Sequence, residues 1–237
     1  MSSTRNPGRV AGFIYLLLVL TGPFNLIYIP HVFLVPGNAS ATANNIVAHE
    51  ALFRLGIVSG LVEAVIFTFV ALALYRLLKG VDQKIAAVMV IFVLISAAIR
   101  FVNELNNLAA LILVRSGDFF SILEKPQRDA FAMLFLRLHG QGNVANEIFW
   151  GLWLLPLAIL VYRSRFLPRF LGVWLVINGF AYMIMSFTGL LLPQYQDKLF
   201  TILQPALFGE VALVLWLVVK GAHPPTLDAA ASSSPAS

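Results

Sequence analysis

Arg100, Asn103, Glu104 and Asn107 recur at i, i+3, i+4 and i+7 within the stretch AAIRFVNELNNLAA (97–110), so on a helix they share one face. Asn106 falls away from the centre of that face. Groups of these types can bind a polar or cationic ligand, pass a proton, or simply hydrogen-bond one another. The surrounding residues are apolar enough to lie in a bilayer, where a charged side chain costs several kcal/mol unless it faces protein or water. The face must therefore look inward.

Other apolar stretches supply partners. Glu63 and Glu210 fall near the middle of two of them, at the depth of Arg100. Asn25, Asn146 and Glu147 lie nearer one end, with Asn103, Glu104 and Asn107, and Asn178, Tyr182 and Ser186 form an i, i+4, i+8 line on a further segment. Four carboxylates thus face one certain cation, Arg100. It can neutralise one or two, and the remainder must be held protonated or be balanced by a bound cation. The layout predicts a polar pocket opening to the outer face. The competing expectation is structural: Arg100 and Glu104 pairing at i, i+4, with the asparagines as interhelical glue.

His31, His49 and His139 all fall at the outer ends of apolar segments and, beside Glu50 or Glu147, form a candidate set for a divalent metal. No HExxH, Glu-x-x-His, GxSxG, P-loop or dinucleotide fingerprint is present, and no cofactor is expected. The chain has no cysteine, which removes disulfides and thiolate chemistry.

The elements that must position these residues are membrane helices. Hydrophobic residues make up 59% of the 237 and charged ones only 11%, against about 25% charged in a soluble domain. The mean hydropathy is +0.86. The sequence predicts an all-α integral membrane bundle of about six transmembrane helices, near 10–30, 52–78, 85–114, 143–162, 170–192 and 199–219. An interfacial or partly inserted helix is expected near 127–139, opened by Pro126, with Ser116-Gly117-Asp118 as a turn before it. Residues 1–9 read as a cytoplasmic start, 10–220 as a single transmembrane domain and 221–237 as a disordered tail.

Nine Lys and Arg residues fall on the side of the amino terminus and six on the other. That bias places both termini inside a plasma (inner) membrane. The pI near 9.7 reflects these helix-end charges. No basic stripe interleaved with exposed aromatics suggests a nucleic-acid partner.

EIFWGLWLLPLAILVYRSRFLPRFLGVWLVINGFAY (147–182) resembles the signature half of an uncharacterised bacterial membrane family, domain of unknown function 4386. NIVAHEALFRLGIVSGLVEAV (45–65) and ALALYRLLKGVDQKIAAVMV (71–90) are similar to the same family. The resemblance implies a multipass bacterial membrane protein of about six spans and brings no activity, ligand or catalytic residue with it. From the residues alone, the leading expectation is a small transporter or binding protein for a polar or cationic small molecule. An intramembrane enzyme acting on a lipid or isoprenoid, with Glu104, Glu147 or His139 as general acid or base, is the alternative. A non-catalytic sensor or assembly component is the third.

Overall fold

In a computed structural model describing residues 6–115 and 122–224, the chain folds as helices joined by short turns. Among these residues eight helices succeed one another: α1 (Pro7–Pro23), α2 (Ile29–Phe33), α3 (Ala39–Ala48), α4 (Glu50–Leu78), α5 (Gln83–Arg115), α6 (Lys125–Arg163), α7 (Arg169–Leu191) and α8 (Gln196–Val219). A π-helical turn, Phe24–Tyr28, joins α1 to α2, and a 3-10 turn, Pro193–Tyr195, leads into α8. Among the described residues six helices are long and apolar enough to cross a membrane, the first running from Pro7 to Phe33. The protein is a multipass membrane bundle.

The inward faces come from helical spacing. In α4 the buried residues Phe53, Gly56, Ile57, Gly60, Ala64, Phe67, Ala71, Leu74 and Leu78 recur three or four apart. In α5 the same spacing carries Met89, Val93 and Ser96 into Arg100, Asn103 and Glu104, so one continuous inner face turns from apolar to polar midway. The spans pack as a closed ring, each on its two neighbours: α1 on α4, α4 on α5, α5 on α6, α6 on α7, α7 on α8 and α8 on α1. Lipid supplies no hydrophobic drive between helices, so close contact relies on small residues. Gly8 and Gly12 bring α1 against Ala222 and Leu217, and Gly151 and Gly179 bring α6 against α7.

Two hydrophobic clusters fill the ring's ends. One, around Leu74, Leu77, Met89, Leu157 and Leu217, occupies the amino-terminal end. The other, Phe33, Ile46, Phe53, Ile57, Leu111 and Leu136, occupies the end capped by α3. The polar residues lie between them.

Three features differ from the expectation. The segment at 127–139 is not a separate interfacial helix. It is continuous with the fourth span in the 39-residue α6, which at 1.5 Å per residue is about 58 Å long and overruns a hydrocarbon core of about 30 Å. The helix runs through Gly140-Gln141-Gly142, where a Cβ on Gly142 would lie 2.2 Å from the Asn103 amide. The glycine is there to admit that side chain, not to end the helix. As expected, Pro126 sits at the helix start, here with a Glu124–Gln127 capping box.

Secondly, the loop between the first two spans contains a short helix, α3, capped by the Asn38 side chain. Thirdly, Ala222 is buried against Gly8, so packing continues to residues expected in the tail. The rest of that tail, 225–237, and the turn at 116–118 lie outside the described residues.

Candidate functional site

Arg100 stands at the centre of the polar layer, its side chain 7% exposed. Its Nη2 donates to Glu63 Oε2 at 3.3 Å, its Nη1 donates to Asn143 Oδ1 at 3.2 Å, and its Nε lies 3.1 Å from Glu104 Oε1. Asn25 Nδ2 donates to the same Glu63 oxygen at 2.6 Å. Asn25 is carried by the π turn after Pro23; such a turn holds one extra residue and rotates the residues beyond it by about 100°. Glu104, 3% exposed, is further held by Asn107 Nδ2 at 2.9 Å and by His139 Nε2 at 3.3 Å. Asn103 Nδ2 donates to the His139 carbonyl at 2.9 Å and to Asn143 Oδ1 at 3.0 Å.

Room for this layer is made opposite it. A Cβ on Gly60 would stand 2.2 Å from Glu104 Oε1. Asn106 donates back to the Asn103 carbonyl and amide oxygens, both at 3.2 Å, so it supports the face without joining its centre.

The remaining two carboxylates lie beyond Arg100. The Tyr15 hydroxyl, fully buried, donates to Glu210 Oε1, and Tyr182 approaches the same carboxylate. The Glu210 backbone N–H donates to Asn178 Oδ1 at 3.2 Å. Glu147 Oε2 is buried with no hydrogen-bond partner, as are Asn146 Oδ1, Asn178 Nδ2 and Ser186 Oγ, while Asn146 Nδ2 donates to the Ser96 carbonyl at 3.2 Å. Arg100 therefore neutralises Glu63 and Glu104 and leaves Glu147 and Glu210 without a cationic partner among the described residues.

A cavity of about 360 Å³ lies inside the ring on the amino-terminal side of the Asn25–Glu63–Arg100 layer. Its charged lining is Glu63, Glu210 and Arg100; Tyr15, Ser96, Asn146 and Tyr182 add polar groups, and Trp150, Trp153 and Phe67 form much of the apolar wall. A second space of about 40 Å³ lies on the other side of Arg100, lined by Arg100, Glu104, Asn107 and His139. Glu147 lines neither, and Glu104 and His139 line only the smaller one.

The expected opening toward the outer face is not where the cavity lies. Phe33, Phe53 and Leu136 close the α3 end.

The histidines are not assembled into a ligand set either. Among the described residues no group of three or more His, Cys, Asp or Glu is placed to hold a metal ion. His139 instead binds Glu104, while His31 and His49 stay at helix ends. Glu50, their expected neighbour, is bridged by Arg54 at 2.6 Å and by Arg115.

Three residues of the site escaped the sequence reading. Asn143 lies one turn before Asn146 and Glu147 on α6, and that i, i+3, i+4 spacing was an available signal. Tyr15 was visible as one of the few polar side chains of the first span, with Thr21, Asn25 and Tyr28. Ser96 was hidden, because it contributes its backbone carbonyl.

An uncharacterized protein from the archaeon Archaeoglobus fulgidus is 31% identical over 152 residues, which cover 64% of this chain and 75% of the relative. No solved structure matches. The family described as Domain of unknown function (DUF4386) matches residues 10–221, so the chain belongs to that family.

Proposed function

We propose that the protein is a small membrane carrier or binding protein for an organic cation. One observation carries this reading: the cavity is lined by two carboxylates, Glu63 and Glu210, against one base, Arg100, which already serves Glu104 as well. A cation seated beside Glu210 completes the charge balance, and the Trp150 and Trp153 rings in the wall give it an aromatic surround. The apolar remainder of the wall suits the organic part of such a molecule.

Movement across the membrane is supported by the stacking of two spaces on either side of Arg100. Passing from one to the other requires the Asn25–Glu63–Arg100 bonds to exchange, a local rearrangement rather than the opening of a pore. With the amino terminus inside a plasma membrane, as the basic residues suggest, the cavity lies near mid-depth. The reading as a lipid-acting enzyme is less well supported, since Glu104, Glu147 and His139 do not face the larger cavity.

Proteoliposomes are expected to accumulate benzyltrimethylammonium faster than protein-free vesicles. Glu210→Gln removes a negative charge from the cavity while keeping a partner for Tyr15, and uptake is expected to fall by at least about tenfold, equivalent to about 1.4 kcal/mol. Equal uptake by the two proteins, or no uptake above empty vesicles, defeats the reading.

A further inference from the structure

We infer that the cavity is filled sideways from the bilayer, through a gap between α1 and α8, and that its ligand is an amphiphilic cation whose chain stays in that gap. This rests on the cation reading above and names the class of cation. The two helices are locked at the amino-terminal end, where a Cβ on Gly8 would stand 2.3 Å from the Ala222 nitrogen and one on Gly12 would stand 2.8 Å from Leu217 Cβ. Higher up they part. A Cβ on Gly22 would meet only Glu63 Oε1, at 4.0 Å, so α1 at that level faces the cavity rather than a packed neighbouring helix. Beyond Pro23 the first span leans on α4.

Leu26 and Ile27 on the first span, and Leu207 and Val211 on α8, line the cavity from opposite sides of the gap. Leu26 is 40% and Ile27 63% exposed on the outside of the bundle, so the same side chains that border the cavity also border its surroundings. Those surroundings are hydrocarbon, since the gap lies well inside two membrane-spanning helices.

Both ends of the ring are filled by hydrophobic clusters, which leaves the side as the way in. A small hydrophilic cation has to cross hydrocarbon to reach such a mouth. A long-chain ammonium already lies beside it, with its head able to swing in to Glu210 and Glu63 and its chain left among Leu26, Ile27 and Leu207.

The test compares butyltrimethylammonium with dodecyltrimethylammonium, binding to the full chain in nanodiscs after subtraction of protein-free discs. The dodecyl probe is expected to bind at least about tenfold tighter. Ile27→Trp and Leu207→Trp, which fill the two lips while keeping Glu63, Arg100 and Glu210, are each expected to abolish that preference. Equal binding of the two probes, or a preference that survives both substitutions, overturns the lateral route while leaving a cation site in place. If Glu210→Gln leaves binding of both probes unchanged, the cation reading itself fails, and the inference with it.

Discussion

Arg100→Met is expected to destabilise the protein by about 3–5 kcal/mol, the largest effect of any single change in the polar layer. The substitution keeps the volume and removes the guanidinium that touches both Glu63 and Glu104. Two buried carboxylates on neighbouring helices then face each other, with only asparagine amides and His139 to answer them. Breaking a buried ionic network from one side leaves an uncompensated charge, whereas neutralising every member does not. The triple variant Arg100→Met/Glu63→Gln/Glu104→Gln is therefore expected to recover most of the loss. Thermal unfolding in detergent measures both. A single variant that melts with the wild type shows that the network does not hold the bundle together.

The second large effect belongs to the α6–α7 crossing. Gly151→Val is expected to lower stability by about 3 kcal/mol or more, because overpacking at a contact that cannot yield exceeds the usual range of about 1–3. The obstacle is backbone: a Cβ on Gly151 would stand 2.4 Å from the Gly179 carbonyl oxygen and 2.6 Å from Met183 Cγ. The contact is reciprocal, since a Cβ on Gly179 would stand 2.9 Å from the Gly151 carbonyl. Separation of the helices also disturbs Asn146, Glu147 and Tyr182, which lie within two turns of the crossing. Gly140→Ala on the same helix is the control. Nothing lies within 4 Å of its missing Cβ, so it is expected to be neutral or to stabilise by about 0.5–1 kcal/mol through lost chain entropy. Equal melting of the two variants contradicts the close crossing.

Much of this architecture is legible in the residues. The six spans come from apolar length, because a membrane helix needs little beyond about 20 apolar residues. The inward face of α5 is set by the spacing of Arg100, Asn103, Glu104 and Asn107, since only one side of a membrane helix can hold them. The pairing of Arg100 with Glu104 is a consequence of i, i+4 geometry.

The features that could not be read depend on contacts between distant segments. The continuity of α6 through Gly142 rests on Asn103 filling the space a side chain would take. The closure of the α3 end rests on Phe33 and Leu136, more than a hundred residues apart, meeting over Glu104. The sideways cavity is set by where α1 and α8 part, and helix spacing carries no trace of that. Glu63 and Glu210 both line the cavity beside Arg100, yet a shared expected depth does not tell which of them Arg100 reaches.

Glu210 and Glu63, incompletely answered by Arg100, are held to make the cavity a site for positive charge. The most direct measurement compares benzyltrimethylammonium with its neutral carbon isostere, neopentylbenzene, which has the same shape and no charge, for binding to the purified protein. The cation is expected to bind at least about tenfold tighter, and the difference is expected to vanish in Glu63→Gln/Glu210→Gln. Equal affinity for the two molecules in the wild type means that the cavity selects by shape alone, and contradicts the claim.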